Sequence, residues 1–291
     1  FQLMRRISKF NLRYALFQQG QTPHFSLTGG KKQRFNNYIN FFNHFRKIKY
    51  EDIFNIFLRR IPKKLTGLKS ADLKIYSGRD FSHYNEFLLD KNTQSIRIPS
   101  FDFNKFISDN SKRIIDEDYI VFLDEFFPYH VDYSFWNVPA PCAPEEYYSP
   151  LEKFLNSLEK TYAKKIIIAA HPRSNYTENL NHFRKFRIIK NKTLNLVKYS
   201  NLVVAHGSTS INFAVLFKKP LLFCNMKKLR NYFYEPLFWY YESFAKSLGQ
   251  NMVYFDEDYT YQRKNLKKID LKKYREYIHQ YIKCDGLPSK N

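Results

Sequence analysis

The chain has 291 residues, 44% of them hydrophobic, enough apolar material for one large core or two medium ones, so a disordered chain is excluded. A net charge of +21 directs attention to polyanionic partners, whether nucleic acid, anionic lipid headgroups or phosphorylated substrates, and does not choose among them. Cys142, Cys224 and Cys284 are odd in number and in no metal or redox spacing, which argues for a reducing compartment without a disulfide framework.

Residues 1 to about 64 read as helical and basic, with Ile53, Ile56, Phe57 and Ile61 at helical intervals before Pro62. Thr28-Gly29-Gly30-Lys31-Lys32 superficially suggests a phosphate loop but lacks the spacing and the following hydroxyl of one. Strands are expected at Ala71 to Ser77 and Ser95 to Ile98, with a helix through Tyr84 to Leu89 between them. This first unit looks like an α/β domain whose earlier strands are weak or absent. Since the chain opens at Phe1, a truncation on this side is one expectation.

Tyr119 to Leu123 (YIVFL) reads as a buried strand that delivers Asp124-Glu125 at its carboxyl end. Ligands in open α/β sheets bind at that edge, so the pair supplies a candidate general base and a second carboxylate to position an acceptor hydroxyl. The bland alternative is a helix cap or an ion pair. His130 and Asp132 follow, two loosely spaced groups that suit a loop hydrogen bond better than a metal. After a proline-rich loop, Ser149-Pro150-Leu151-Glu152 has the form of a capping box, predicting a helix from about Pro150 to Tyr162.

Lys165 to Ala170 (KIIIAA) predicts a central strand ending in His171-Pro172-Arg173-Ser174. A lone histidine is usually structural, but this one would leave the sheet on the same edge as the acidic pair, beside an Arg suited to phosphate or carboxylate. Arg187 to Lys190 is a strand and Thr193 to Tyr199 a helix. Leu202 to Ala205 is a strand ending at His206-Gly207, and hydroxyls follow at Ser208, Thr209 and Ser210. Gly207 permits a close backbone approach and Ser208 is a natural N-cap, so this turn reads either as an anion site or as the cap of a core helix running to Phe217. Pro220 to Cys224 is the next strand. Met226 to Gly249 is helical and aromatic, Met252 to Phe255 a last strand, and Leu266 to Lys283 a basic amphipathic helix whose charged face is solvated or rests on an anionic membrane.

The alternation from Tyr119 to Cys224 specifies a parallel, right-handed doubly wound sheet. With FLDE, AAHPRS and HGSTSINFAVLFKKP in that order, the sequence resembles the bacterial GT-B glycosyltransferases that use CMP-activated acidic sugars, the sialyltransferases and polysialyltransferases and their capsule and lipopolysaccharide relatives. The resemblance covers roughly Tyr119 to Cys224. It departs at Phe126, where the family's acidic motif ends in Gly. It implies an α/β, GT-B-like fold of two Rossmann-like domains with parallel sheets: an acceptor-side domain over 1-115, a nucleotide-sugar domain over 116-260 and a basic helix over 261-291. It implies Asp124 as base and His171 as acid, with Glu125, His130, Arg173, Gly207, Ser208, Thr209 and Ser210 binding substrate. The resemblance further implies a metal-independent enzyme with no cofactor. Its donor would be a CMP-linked sugar (sialic acid, Kdo or a relative), its acceptor a glycan or lipid-linked glycan, and its place the cytoplasm or the inner face of the cytoplasmic membrane. Transfer from a CDP-alditol or a UDP-sugar is the nearest alternative, and a basic nucleic-acid-binding protein the alternative of another class.

Overall fold

The computed structural model describes residues 2–23, 67–79, 88–136, 139–176, 182–230, 235–257, 261, 266–284 and 286. The expected helix around Ile53 to Ile61, the loop at Thr28 to Lys32 and most of the helix through Tyr84 to Leu89 lie outside them.

Among the described residues, three strands form a small parallel sheet in the order β1-β2-β3: Ala15–Gln18 (β1), Leu73–Tyr76 (β2) and Gln94–Arg97 (β3). The first of these was not foreseen. ALFQ is short, lies on the sheet edge and keeps an exposed-intermediate alternation, so no apolar run marks it in a region otherwise read as helical. The helix Gln2–Lys9 (α1) precedes it.

The larger sheet contains Tyr119–Leu123 (β4), Lys165–Ala170 (β5), Arg187–Lys190 (β6), Leu202–Ala205 (β7), Leu221–Asn225 (β8) and Met252–Tyr254 (β9). All neighbours are parallel, in the order β6-β5-β4-β7-β8-β9. Numbered within this sheet the order is that of the dinucleotide-binding Rossmann fold, and the direction of winding reverses between β4 and β7. Every residue of β4, β7 and β8 is buried, as their unbroken Val, Ile, Leu and Phe runs require of strands covered on both faces.

One face packs against Pro144–Tyr162 (α2) through Tyr147, Leu151, Phe154 and Leu158. The other is covered by Phe101–Ile107 (α3), Thr193–Tyr199 (α4), Ile211–Leu216 (α5) and Leu271–Tyr277 (α6). The long helix starts six residues before the expected position, since Pro144 takes the first turn and Glu146 accepts from the Ala143 N–H at 3.1 Å. Pro150 consequently lies inside it. The basic C-terminal segment is more than a solvated helix: Tyr274, Tyr277, Tyr281 and Ile282 enter the core, while Lys272 and Arg275 stay exposed.

The carboxyl ends of the small sheet face the larger one. The Thr22 hydroxyl, beyond β1, lies 3.0 Å from that of Tyr240, on the helix Glu235–Ser247 (α7). Beyond β2, Arg79 N–H donates to Gln280 carbonyl O at 2.8 Å, and beyond β3 Ser100 N–H donates to Ile282 carbonyl O at 2.9 Å. The α/β class with two parallel sheets is the one expected from the sequence.

Candidate active site at the carboxyl edge of the large sheet

Three predicted segments leave the same edge: Asp124-Glu125 after β4, His171 to Ser174 after β5 and Gly207 to Ser210 after β7. The acidic pair is central because β4 lies between the other two strands, and the pair divides its bonds between them. Asp124 Oδ2 accepts from the His171 N–H at 3.2 Å. Glu125 Oε1 accepts from the Gly207 N–H at 2.8 Å. The crevice so framed is the topological switch point, where open α/β sheets bind ligands.

Asp124 is 4% exposed. Phe126 N–H and Tyr176 O–H also donate to its carboxylate, at 2.9 and 3.0 Å. Burial outweighs these donors and pushes its pKa up to about 6. A carboxylate this enclosed is poorly placed to meet an acceptor hydroxyl, which weakens the direct base role that the sequence resemblance implies. Glu125 is partly exposed, its Oε2 accepting from Tyr241 O–H at 2.7 Å.

The residue after the pair, a Phe where the motif it resembles has Gly, takes a conformation open to glycine. Phe126 has φ 52 and ψ 40, the left-handed conformation that glycine enters freely and other residues enter at a cost of ~1–2 kcal/mol. Its ring is buried and lies edge-on to Tyr176 at 5.3 Å, so packing offsets the strain.

His171 is held at several points. Its carbonyl accepts from the Ser174 N–H and hydroxyl at 2.9 and 2.8 Å, and its Nδ1 accepts from the Arg173 N–H at 3.2 Å. An accepting Nδ1 assigns the neutral ring's proton to Nε2. Burial, and next the ring of His130 at 5.1 Å, lower its pKa, so the imidazole is neutral at pH 7. His130 Nδ1 accepts from the Asp132 N–H at 3.3 Å, and the Asp132 carboxylate lies 3.6 Å from the exposed Arg173 guanidinium. His130, His171 and Arg173 therefore share one rim. Among the described residues, no group of three or more His, Cys, Asp or Glu side chains could hold a metal ion.

On the β7 side the helix begins at Ile211, not at Ser208. Ser208 Oγ accepts from the Ser210 N–H at 3.2 Å, its carbonyl accepts from the Ile211 N–H at 3.1 Å, and Ser210 is the N-cap without a side-chain bond. Ser208 thus closes a tight turn. Thr209 is exposed and Ser208 and Ser210 half-buried, leaving these hydroxyls at the edge of the crevice. Gly207 has a packing reason: a Cβ there would lie 2.3 Å from Tyr241 Cδ1 and 3.0 Å from Tyr240 Cε1. Tyr240 Oη in turn lies 2.9 Å from the Gly207 carbonyl O.

Sequence reasoning missed the buried polar layer beneath this edge. His206 is 2% exposed between Tyr147 Oη, 2.8 Å from Nε2, and the Cys224 carbonyl O, 2.7 Å from Nδ1. The carbonyl can only accept, so Nδ1 carries the proton and Tyr147 donates to Nε2. Tyr148 and Tyr176 hydroxyls pair at 2.9 Å, extending the bonds of Asp124 inward. Tyrosines within helical apolar stripes give no outward sign of such partners.

No protein-family model matches the chain, and no curated protein does. Among solved structures, it is similar to a variant of the wall teichoic acid polymerase TagF, with TM-score 0.45 and 12% identity over 74% of this chain and 55% of that one. The UDP-GlcNAc 2-epimerase from Methanocaldococcus jannaschii gives TM-score 0.38 and 13% identity over 94% of this chain and 65% of that one. The spinosyn rhamnosyltransferase SpnG gives TM-score 0.38 and 11% identity over 94% and 59%. The chain spans 55% to 65% of the length of these three structures. At TM-scores of 0.38 to 0.45 these likenesses carry no weight in the assignment of function.

Proposed function

We propose that the chain is a glycosyltransferase that binds a nucleotide sugar in the crevice between the β4 and β7 ends and transfers the sugar to a glycan hydroxyl. The donor class we propose is a CMP-activated acidic sugar. The observation that carries the reading is the division of one acidic pair between two neighbouring strand ends, Asp124 to the His171 turn and Glu125 to Gly207, at the winding reversal of a Rossmann-ordered sheet.

In this reading the neutral His171 donates its Nε2–H to the phosphate of the departing nucleotide. Departure builds negative charge there, and a donor already held in place stabilises it without reorganising. Arg173 adds its guanidinium on the same rim, toward the phosphate or the sugar carboxylate. Ser208, Thr209 and Ser210 border the phosphate from the β7 side, and His130 tunes His171. Of the two carboxylates, Glu125 takes the proton of the acceptor hydroxyl, because it is the more exposed. Asp124 is then a positioning residue that fixes the His171 backbone. The bond between the sugar's anomeric carbon and the phosphate oxygen breaks with its electron pair going to the departing nucleotide, the acceptor oxygen bonds to that carbon, and the acceptor proton passes to Glu125.

A thermal-shift titration with CMP, CDP, UDP and a short single-stranded oligonucleotide tests this, because a ligand selective for the native state raises its melting temperature. CMP is expected to stabilise most. Preference for UDP or CDP would replace the donor class, and stabilisation by the oligonucleotide alone would replace the function. His171→Ala is expected to abolish transfer while leaving the melting temperature and much of the nucleotide affinity; full activity would remove His171 from the mechanism.

A further inference from the structure

The loop after β1 carries a buried polar side chain on the stretch that meets the elements of the larger sheet. Gln21 is 7% exposed, and neither its Nε2 nor its Oε1 has a hydrogen-bond partner. One chain neighbour lies against the loop that follows β7 and the other against α7, which packs on that loop. A Cβ on Gly20 would lie 3.8 Å from Thr209 Cγ2, and Thr22 Oγ1 lies 3.0 Å from Tyr240 Oη, the same hydroxyl that lies 2.9 Å from the Gly207 carbonyl O. Gln19 on the same loop is half satisfied: its Oε1 accepts from the Phe101 N–H at 3.4 Å while its buried Nε2 has no partner, so Gln21 differs in having both ends open.

Buried amides are nearly always hydrogen-bonded, and one with both ends unsatisfied calls for a missing partner. We infer that Gln21 is a substrate-binding residue whose amide takes the hydroxyls of the transferred sugar. The inference rests on the nucleotide-sugar reading above. Gln21 comes from the sheet opposite the one that carries His171 and Gly207. A group in transit from a nucleotide on those loops to an acceptor has to lie between the two. A primary amide offers an acceptor and a donor side by side, which matches two neighbouring hydroxyls. A phosphate or carboxylate would call for a cation instead.

The test uses the full chain with two probe pairs, CMP against CMP-sialic acid and UDP against UDP-GlcNAc, measured by calorimetry for the wild type, Gln21→Met and Gln21→Asn. Gln21→Met keeps the length and volume and removes the amide, while Gln21→Asn keeps the amide and withdraws it by one methylene. In the pair that binds, both variants are expected to weaken the sugar nucleotide by about tenfold and to leave the bare nucleotide within about twofold. The melting temperature of Gln21→Met should not fall, since no protein bond is lost. An unchanged ratio of the two affinities would overturn the role of Gln21 alone, and so would a fall in melting temperature in both variants with that ratio intact. A wild-type chain that binds none of the four probes would overturn the nucleotide-sugar reading and this inference with it.

Discussion

Gly207→Ala puts a single methyl into the tightest contact of the site. Its Cβ would lie 2.3 Å from Tyr241 Cδ1 and 2.5 Å from Cε1, where carbon atoms normally rest at about 3.5–4.0 Å. The ring therefore has to move by about 1 Å or more. Tyr241 is 3% exposed and packed against the core, so the displacement is expected to cost ~1–3 kcal/mol as overpacking. It also pulls Tyr241 O–H from Glu125 Oε2, now at 2.7 Å, worth a further ~1.5–3 kcal/mol because the acceptor is charged. Urea denaturation should show Gly207→Ala less stable by ~2.5–6 kcal/mol. In a Tyr241→Leu background the ring is gone and the same substitution should cost about 1 kcal/mol or less. An equal loss in both backgrounds, or none in the wild type, would refute the packing reason for this glycine.

The left-handed Phe126 predicts an inversion: although alanine normally stabilises relative to glycine, Phe126→Gly should be at least as stable as Phe126→Ala, by up to ~1 kcal/mol in urea melts, and a clearly more stable alanine variant would refute the strain. Asp124 has its pKa raised to about 6, so its contribution to stability is full below the ordinary carboxylate range and is lost as pH rises toward 6. Relative to Asp124→Asn, the wild type should lose ~2 kcal/mol between pH 4 and 7, and a pH-independent difference would show that the buried carboxyl does not titrate as described. His130→Gln should raise the NMR titration midpoint of His171, because the neighbouring ring is one cause of its lowering; an unmoved midpoint would dissociate the two rings.

Much of the large sheet could be read from the sequence, because strands buried on both faces have to be apolar without interruption. Arg187–Lys190, Thr193–Tyr199 and Leu202–Ala205 fall where pattern and turn residues put them. The small sheet was harder to read. Its first strand is half exposed on an edge, and four residues are too few to establish a period of two. Helix starts were misplaced where two signals compete. Ser149-Pro150 imitates a cap, but Ala143-Pro144 with Glu146 begins the helix a turn and a half earlier. Ser208 imitates one too, yet its hydroxyl is used within the turn. The site segments were legible as strand ends. Which carboxylate is enclosed was not, because the partners of Asp124 come from residue 171 and from Tyr176, 52 positions away.

The enclosure of Asp124 also bears on how a site of separate loops stays rigid. Its two oxygens receive His171 N–H, Phe126 N–H and Tyr176 O–H, so one residue sets the turn that carries the imidazole and the left-handed turn that follows Glu125. Glu125 fixes the β7 loop through Gly207 N–H and α7 through Tyr241 O–H. Asp124 cannot be exchanged for its amide without placing an N–H donor against another N–H, because its two oxygens meet the Phe126 and His171 N–H groups, whereas Glu125 Oε2 meets a hydroxyl that can turn and accept. Placing that pair on the central strand confines reorganisation of either neighbouring loop, and a site preorganised in this way stabilises developing charge without first moving its donors. The left-handed Phe126 is part of the same arrangement, because the turn it makes returns its own N–H to Asp124.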